Sequence, residues 1–250
     1  MRSVLTEVTR IGRLPFLFES DTVMPTDIRI NTINGDDQSM KKFDTSLYFI
    51  TDSTGFDEAE FLTRVEAALM GGVTILQLRE KNSTTKEYIA LAEKVHELTR
   101  KYAVPLIIDD RVDVALAVGA EGVHLGAEDM SISAARRILG EDKIIGATAK
   151  TVPWALDVYG QGADYLGVGA IYPTTTKVKT VLTSTDTLRE ICKAVPIPVN
   201  AIGGLNKSNI DILAGIPIAG ICAVSAIMKA DDPKTAVEEL KARAHELKLI

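Results

Sequence analysis

Eight short runs rich in aliphatic and β-branched residues recur along this chain, and the stretches between them carry apolar residues at helical spacing. The runs are Leu47–Thr51, Val73–Leu78, Pro105–Asp109, Gly122–Leu125, Ile144–Ala147, Tyr165–Val168, Pro198–Ile202 and Gly220–Val224. Near-continuous apolar runs of this length read as strands buried on both faces, as in a parallel sheet covered by helices. The segments Glu58–Met70, Thr85–Tyr102, Val112–Val118, Ser133–Leu139, Pro153–Tyr159, Thr185–Ala194, Lys207–Ala214 and Lys234–Lys248 read as the helices. Gly71 and Gly72 stop the first, and Thr84 with Glu87 opens the second as a capping box. Strict alternation demands parallel strands joined by right-handed crossovers. Eight pairs predict an α/β fold of the closed (β/α)₈, or TIM-barrel, kind. An open doubly wound sheet competes with it, but the segment Thr51–Gly55 lacks the GxGxxG turn that a dinucleotide-binding sheet carries after its first strand.

The regular pattern starts only at Leu47. Glu19 to Lys42 is polar and follows neither period, and before it only Leu14 to Phe18 is strongly apolar. Residues 1–43 are therefore expected to form an N-terminal extension with little structure of its own, and residues 44–250 the barrel domain. Met40, followed by Lys41 and Lys42, would also serve as a start of translation, and the mass of the native chain distinguishes the two. A length of 250 residues suits one barrel. The net charge of −6 argues against a broad nucleic-acid footprint, and Cys192 and Cys222 are too few for a disulfide scaffold. No apolar run reaches the ~18 residues of a membrane span. The expectation is a cytoplasmic enzyme acting on small molecules, with no nucleic-acid or membrane partner.

Barrel enzymes place their chemistry at the C-terminal ends of the strands. After the second strand, period-2 alternation puts Gln77, Arg79 and Lys81 on one side and Leu78 and Glu80 on the other. An amide and two cations converging there suit an anion such as a phosphate. Asp109 and Asp110 follow the third strand, and Glu128 and Asp129 follow the fourth. Carboxylates from adjacent strand ends beside a basic site suit a hard cation, Mg²⁺, bridging to that phosphate. Helix capping is the plainer role for Glu128 and Asp129, and a buried structural role the plainer one for His124. The sixth strand leads into a loop with Thr174, Thr175, Thr176, Lys177 and Lys179, rich in hydroxyls and cations that could close over a ligand. Gly203 and Gly204 follow the seventh strand, and Val224 and Ser225 the eighth; loops at these places in such barrels often hold a second phosphate. Two anion sites in one barrel mouth suggest two phosphorylated substrates.

Taken together and in order, LYFITD, QLREK, DDRVD, GVHLGAEDM, DYLGVGAIYPTTTK, AIGG and AVSAI resemble the thiamine phosphate synthase family over about residues 46–228. The resemblance implies a (β/α)₈ barrel, Mg²⁺, and the coupling of hydroxymethylpyrimidine pyrophosphate to a thiazole phosphate, giving thiamine phosphate and pyrophosphate. By position it implies that Gln77, Leu78, Arg79, Glu80 and Lys81 bind the pyrimidine pyrophosphate, with Asp109 on the pyrophosphate side and Thr148 against the pyrimidine. Asp110 and Asp129 are implied as the Mg²⁺ ligands. Thr174, Thr175, Thr176, Gly204, Val224 and Ser225 are implied for the thiazole phosphate, and Lys177 for the pyrophosphate. Arg79, Lys81 and Lys177 are the residues implied to stabilise the leaving group, with no protein nucleophile needed.

The chain departs from the family pattern at four places: Asp109 stands where Asn is usual, Ala127 where Gln is usual, Lys150 where Ser or His is common, and Lys179 where an acid is usual. Two rival readings share the barrel, a thiazole tautomerase-like isomerase and a non-catalytic barrel binding thiazole phosphate or thiamine phosphate. The Thr174–Lys177 signature argues against the first, and a pyrophosphate site with two acids argues against the second. An unrelated phosphosugar isomerase would share the phosphate loops but has no use for QLREK beside those acids. Because a carboxylate at 109 adds negative charge opposite a pyrophosphate, Asp109→Asn is expected to keep or raise turnover; a large loss would refute this.

Overall fold

A computed structural model describes residues 43–174 and 181–250, so residues 1–42 of the expected extension, Thr175, Thr176, Lys177 and Lys179 lie outside the described residues, while Phe43 packs against Tyr165. Eight parallel strands close into a barrel in sequence order: β1 (Leu47–Ile50), β2 (Ile75–Leu78), β3 (Leu106–Asp109), β4 (Gly122–Leu125), β5 (Ile144–Ala149), β6 (Tyr165–Gly169), β7 (Val199–Ile202) and β8 (Gly220–Ala223). The ladder closes where Leu47, Tyr48 and Phe49 of β1 pair with Ile221, Cys222 and Ala223 of β8. Around it lie α1 (Glu58–Gly71), α2 (Thr85–Lys101), α3 (Val112–Val118), α4 (Ile132–Leu139), α5 (Val152–Gly160), α6 (Thr185–Ala194), α7 (Ser225–Met228) and α8 (Pro233–Glu246).

The helix starts carry their own stop-start chemistry. Asp57, Thr84, Ser131, Thr151 and Ser184 each accept a backbone N–H of the first turn, and Thr84 with Glu87 makes the full capping box. Gly72, with φ of 92°, ends α1.

The expected helix over Lys207–Ala214 is not there. Only a 3₁₀ turn at Ile210–Leu213 forms after β7. Local side chains explain the difference: Asn206 Oδ1 accepts the Ser208 N–H and Oγ, and Asn209 Oδ1 accepts the Asn206 N–H. These bonds satisfy backbone groups in a turn rather than a helix. The one-turn helix α7 was not expected either, since a four-residue element carries no readable period.

Two apolar layers follow from the alternation of side chains along each strand. One lies between barrel and helices and includes Leu47, Phe49, Leu76, Leu78, Ile108, Val123 and Leu166. The other fills the barrel interior with Tyr48, Ile50, Ile75, Ile107, Ile144, Tyr165 and Cys222. Space for Tyr165 comes from the adjacent strand, where Gly146 is its register partner: a Cβ on Gly146 would sit 2.1 Å from Tyr165 Cζ. Gly146→Ala is therefore expected to destabilise the barrel by about 1–3 kcal/mol, the usual cost of overpacking. Chemical denaturation reads this directly, and an unchanged midpoint would overturn it.

Candidate active site

Alternation also decides what meets at the barrel mouth. Beyond the interior isoleucines, the next inward positions are Gln77 on β2, Asp109 on β3, His124 on β4 and Thr148 on β5, and Asp109 is in register with His124. Gln77 and Asp109 are among the few buried polar side chains of the barrel.

Asp109 is the electrostatic centre. Lys81 Nζ lies 2.8 Å from its Oδ2, and Arg79 Nε lies 3.7 Å from the same oxygen. Lys81 also pairs with Asp110. Asp109 Oδ2 is buried and receives no well-directed hydrogen bond despite the nearby ammonium. Burial, with the like charge of Asp110 next in weight, pushes the Asp109 carboxyl up to about 6; Lys81 and Arg79 offset this only in part. Burial works against the charge of Lys81, but Asp109 and Asp110 outweigh it and hold the ammonium above its ordinary value.

Asp110 has a left-handed backbone, φ 61°, and its N–H donates to His124 O at 2.9 Å. That unusual conformation for a non-glycine residue aims its carboxylate beside Lys81. Asp129 accepts the Gly126 N–H at 2.7 Å. Burial first, and then contact with Asp110, raises its carboxyl as well. Asp110 and Asp129, with the under-bonded Asp109 nearby, offer only oxygens, the donor type that a hard cation takes. Among the described residues no three acids, histidines or cysteines converge as a complete cage.

The other expected residues separate. Gln77 Nε2 donates to Tyr48 Oη at 2.8 Å. The Leu78 side chain is fully buried in the layer facing the helices, so only its backbone is near the mouth. Glu80 turns away from the cations: its Oε2 accepts from Ser53 at 2.9 Å and Ser83 at 3.3 Å, tying the loops after β1 and β2 together. Thr148 Oγ1 lies 3.0 Å from His124 Nε2. Thr174 is half-buried after β6. Gly204 ends β7's turn with φ 64°, Val224 borders the interior cluster, and Ser225 opens α7.

Two barrel tyrosines escaped the sequence reading. Tyr48 and Tyr165 hydroxyls lie 2.6 Å apart, and Tyr165 Oη lies 3.1 Å from His124 Nδ1. Gln77, Tyr48, Tyr165, His124 and Thr148 thus form one hydrogen-bonded chain across five strands. The signal was present, since each occupies an inward phase of its strand, but polar residues inside a barrel are recognised only once the ladder register is known. Tyr88 is a third: its hydroxyl donates to Leu78 O at 2.6 Å and approaches Asp109 O at 3.3 Å, bracing the ends of β2 and β3.

A closed parallel barrel with a cationic and carboxylate cluster at its strand ends, beside glycine turns after β7, defines a phosphate-handling (β/α)₈ barrel enzyme. The thiamine monophosphate synthase family model matches residues 47–227, and the chain belongs to that family of transferases. Thiamine-phosphate synthase 2 of Streptococcus pneumoniae is 50% identical over 201 residues, covering 80% of this chain and 96% of that one. Thiamine-phosphate synthase of Clostridium tetani is 47% identical over 200 residues, covering 80% of this chain and 96% of its own. The solved structure of thiamine phosphate pyrophosphorylase from Pyrococcus furiosus superposes with a TM-score of 0.74 at 41% identity, over 81% of this chain and 96% of that chain.

The raised Asp109 carboxyl has a stability consequence. The folded state holds this proton more tightly than the unfolded chain does, so its contribution is most favourable below the unfolded pKa near 4 and is lost as pH rises through about 6. In EDTA, Asp109→Asn is expected to remove that loss. The variant should exceed the parent in melting temperature at pH 7 by several degrees, since 1 kcal/mol moves a domain of this size by about 2–4 °C. The gap should close toward pH 4; a gap independent of pH would overturn the assignment.

Proposed function

We propose that the chain joins hydroxymethylpyrimidine pyrophosphate to a thiazole phosphate, releasing pyrophosphate and forming thiamine phosphate. The observation that carries this reading is the gathering of Arg79 and Lys81 around the buried Asp109, with Asp110 paired to Lys81 and Asp129 beside Asp110. A site for a neutral or singly charged ligand has no use for so many opposed charges. A pyrophosphate taken up beside Mg²⁺ would take over the contacts that Lys81 and Arg79 now spend on Asp109.

Asp110 and Asp129 would hold Mg²⁺, which supplies neutralisation of the charge that grows on pyrophosphate oxygens as the carbon–oxygen bond breaks. Arg79 and Lys81 stabilise the same charge by direct contact, and Lys177 joins them from the loop after β6. Gln77 and Thr148, held by the tyrosine and histidine chain, orient the pyrimidine. Thr174, Thr175, Thr176, Gly204, Val224 and Ser225 hold the thiazole phosphate so that the ring nitrogen faces the pyrimidine methylene. The nitrogen supplies the electron pair of the new bond, and pyrophosphate leaves with the pair of the old one. No protein nucleophile is needed.

On this reading residues 44–250 are the catalytic barrel and residues 1–43 an accessory extension, and the protein works in the cytoplasm. Among the described residues no helix is long and apolar enough to cross a membrane.

The test is an assay of the full chain with both substrates, reading thiamine phosphate by fluorescence after oxidation. Product should form with Mg²⁺ and vanish with EDTA. Asp129→Asn should lower turnover by about 10²-fold or more, the scale for removing one electrostatic stabiliser. Binding of both substrates without product would overturn the reading in favour of a non-catalytic barrel.

A further inference from the structure

Two consecutive peptide groups after β7 are locked by partners in the loops that follow β6 and β7. Gly203 and Gly204 both have left-handed backbones, φ 107° and 64°. A Cβ at 203 would stand 2.3 Å from Ala170 Cβ, and one at 204 would stand 2.9 Å from Pro173 O, so the turn is pressed against the loop after β6. The Gly203 carbonyl accepts the Tyr172 N–H at 3.0 Å. The Gly204 carbonyl accepts Asn209 Nδ2 at 2.8 Å. In a trans peptide the C=O and N–H point in opposite directions. The N–H groups of Gly204 and Leu205 are therefore aimed away from Tyr172 and Asn209. Consecutive N–H groups beside left-handed residues are the parts from which anion-binding concavities are made.

We infer that Asn209 is a positioning residue for the thiazole phosphate: its side-chain amide fixes the Gly204–Leu205 peptide and so the direction of the Leu205 N–H. The inference rests on the reading that the turn after β7 receives that phosphate. Asn209 is itself held on every side. Its Oδ1 accepts the Asn206 N–H at 2.8 Å, its own N–H donates to Asn206 O at 3.1 Å, and its carbonyl receives the Tyr172 hydroxyl at 3.4 Å. These partners also fix the amide orientation, because the opposite one would set Oδ1 against a carbonyl and Nδ2 against an N–H. The side chain that stops the loop from continuing as an α-helix is thus the one that orients the turn. Ser208 shares the loop; its N–H and hydroxyl both donate to Asn206 Oδ1, and among the described residues no hydrogen bond joins it to Gly204.

The experiment compares the full chain with Asn209→Ala and with Ser208→Ala as the control that disturbs the same loop. In Asn209→Ala the KM for thiazole phosphate should rise about five- to tenfold, the size of one lost hydrogen bond. The KM for pyrimidine pyrophosphate should stay within twofold, and Ser208→Ala should match the parent for both substrates. Titration with inorganic phosphate, followed by amide NMR on the parent, needs no variant. The Gly204 and Leu205 resonances should move on phosphate binding, and the Leu205 shift should shrink in Asn209→Ala. An unchanged thiazole phosphate KM, an equal rise in both KM values, or parent amides that ignore phosphate would each overturn the inference. If the parent makes no thiamine phosphate, the functional reading fails, and the phosphate titration by itself decides the role of Asn209.

Discussion

Closure of the parallel ladder between β1 and β8 gives this molecule a shared interior. Once the sheet is a ring, every second side chain of eight strands points at the same small volume, and the neighbours of each are set by register rather than by sequence distance. Tyr48 meets Tyr165 across 117 residues, and Asp109 comes beside His124 because their strands pair at that rung. The interior also holds isoleucines and a cysteine, which need no partners. The polar residues beside them bond to neighbours brought close by the register, as Gln77 does to Tyr48, Thr148 to His124 and Asp109 to Lys81, and toward the other end of the barrel Asn200 Nδ2 donates to Thr45 O.

That ordering sets up the electrostatics of the mouth. Asp109 sits at the boundary, buried enough to resent its charge and close enough to Lys81 and Arg79 to keep part of it. Lys81 is shared between Asp109 and Asp110, and Asp110 in turn touches Asp129. Repulsion and attraction therefore alternate along a short line of groups. Such a cluster relaxes when a multiply charged anion and a divalent cation enter as a pair, and it gains less from either one by itself.

The parts of this arrangement visible in the sequence are those governed by local period. Runs such as Ile144–Ala147 and Tyr165–Val168 lie within the observed strands, and the phase of Gln77, Arg79 and Lys81 separates them from Leu78 as alternation requires. Two features were not visible. A helix pattern over Lys207–Ala214 lost to side-chain bonds from Asn206 and Asn209, since those bonds depend on a loop geometry that no periodicity encodes. The chain from Gln77 to Thr148 was hidden because its members lie on five strands and acquire meaning only through the barrel register. Glu80 shows the same limit on a smaller scale: its place in QLREK suggests ligand contact, but its carboxylate serves two serines.

The same buried chain has a direction. A carboxamide nitrogen can only donate, so Gln77 makes Tyr48 an acceptor, and a Tyr48 hydroxyl that donates to Tyr165 leaves the Tyr165 hydroxyl to donate to His124 Nδ1. Burial above all keeps both phenols far from ionisation, so neither can break the sequence by losing its proton. With Nδ1 accepting, the network assigns the ring hydrogen to Nε2, which donates to Thr148. The hydroxyl hydrogen of Thr148 is the last in line and has no use within the chain. Run in that direction, the chain from the β2 amide through Tyr48, Tyr165 and His124 leaves Thr148 presenting a donor rather than an acceptor to whatever lies above it.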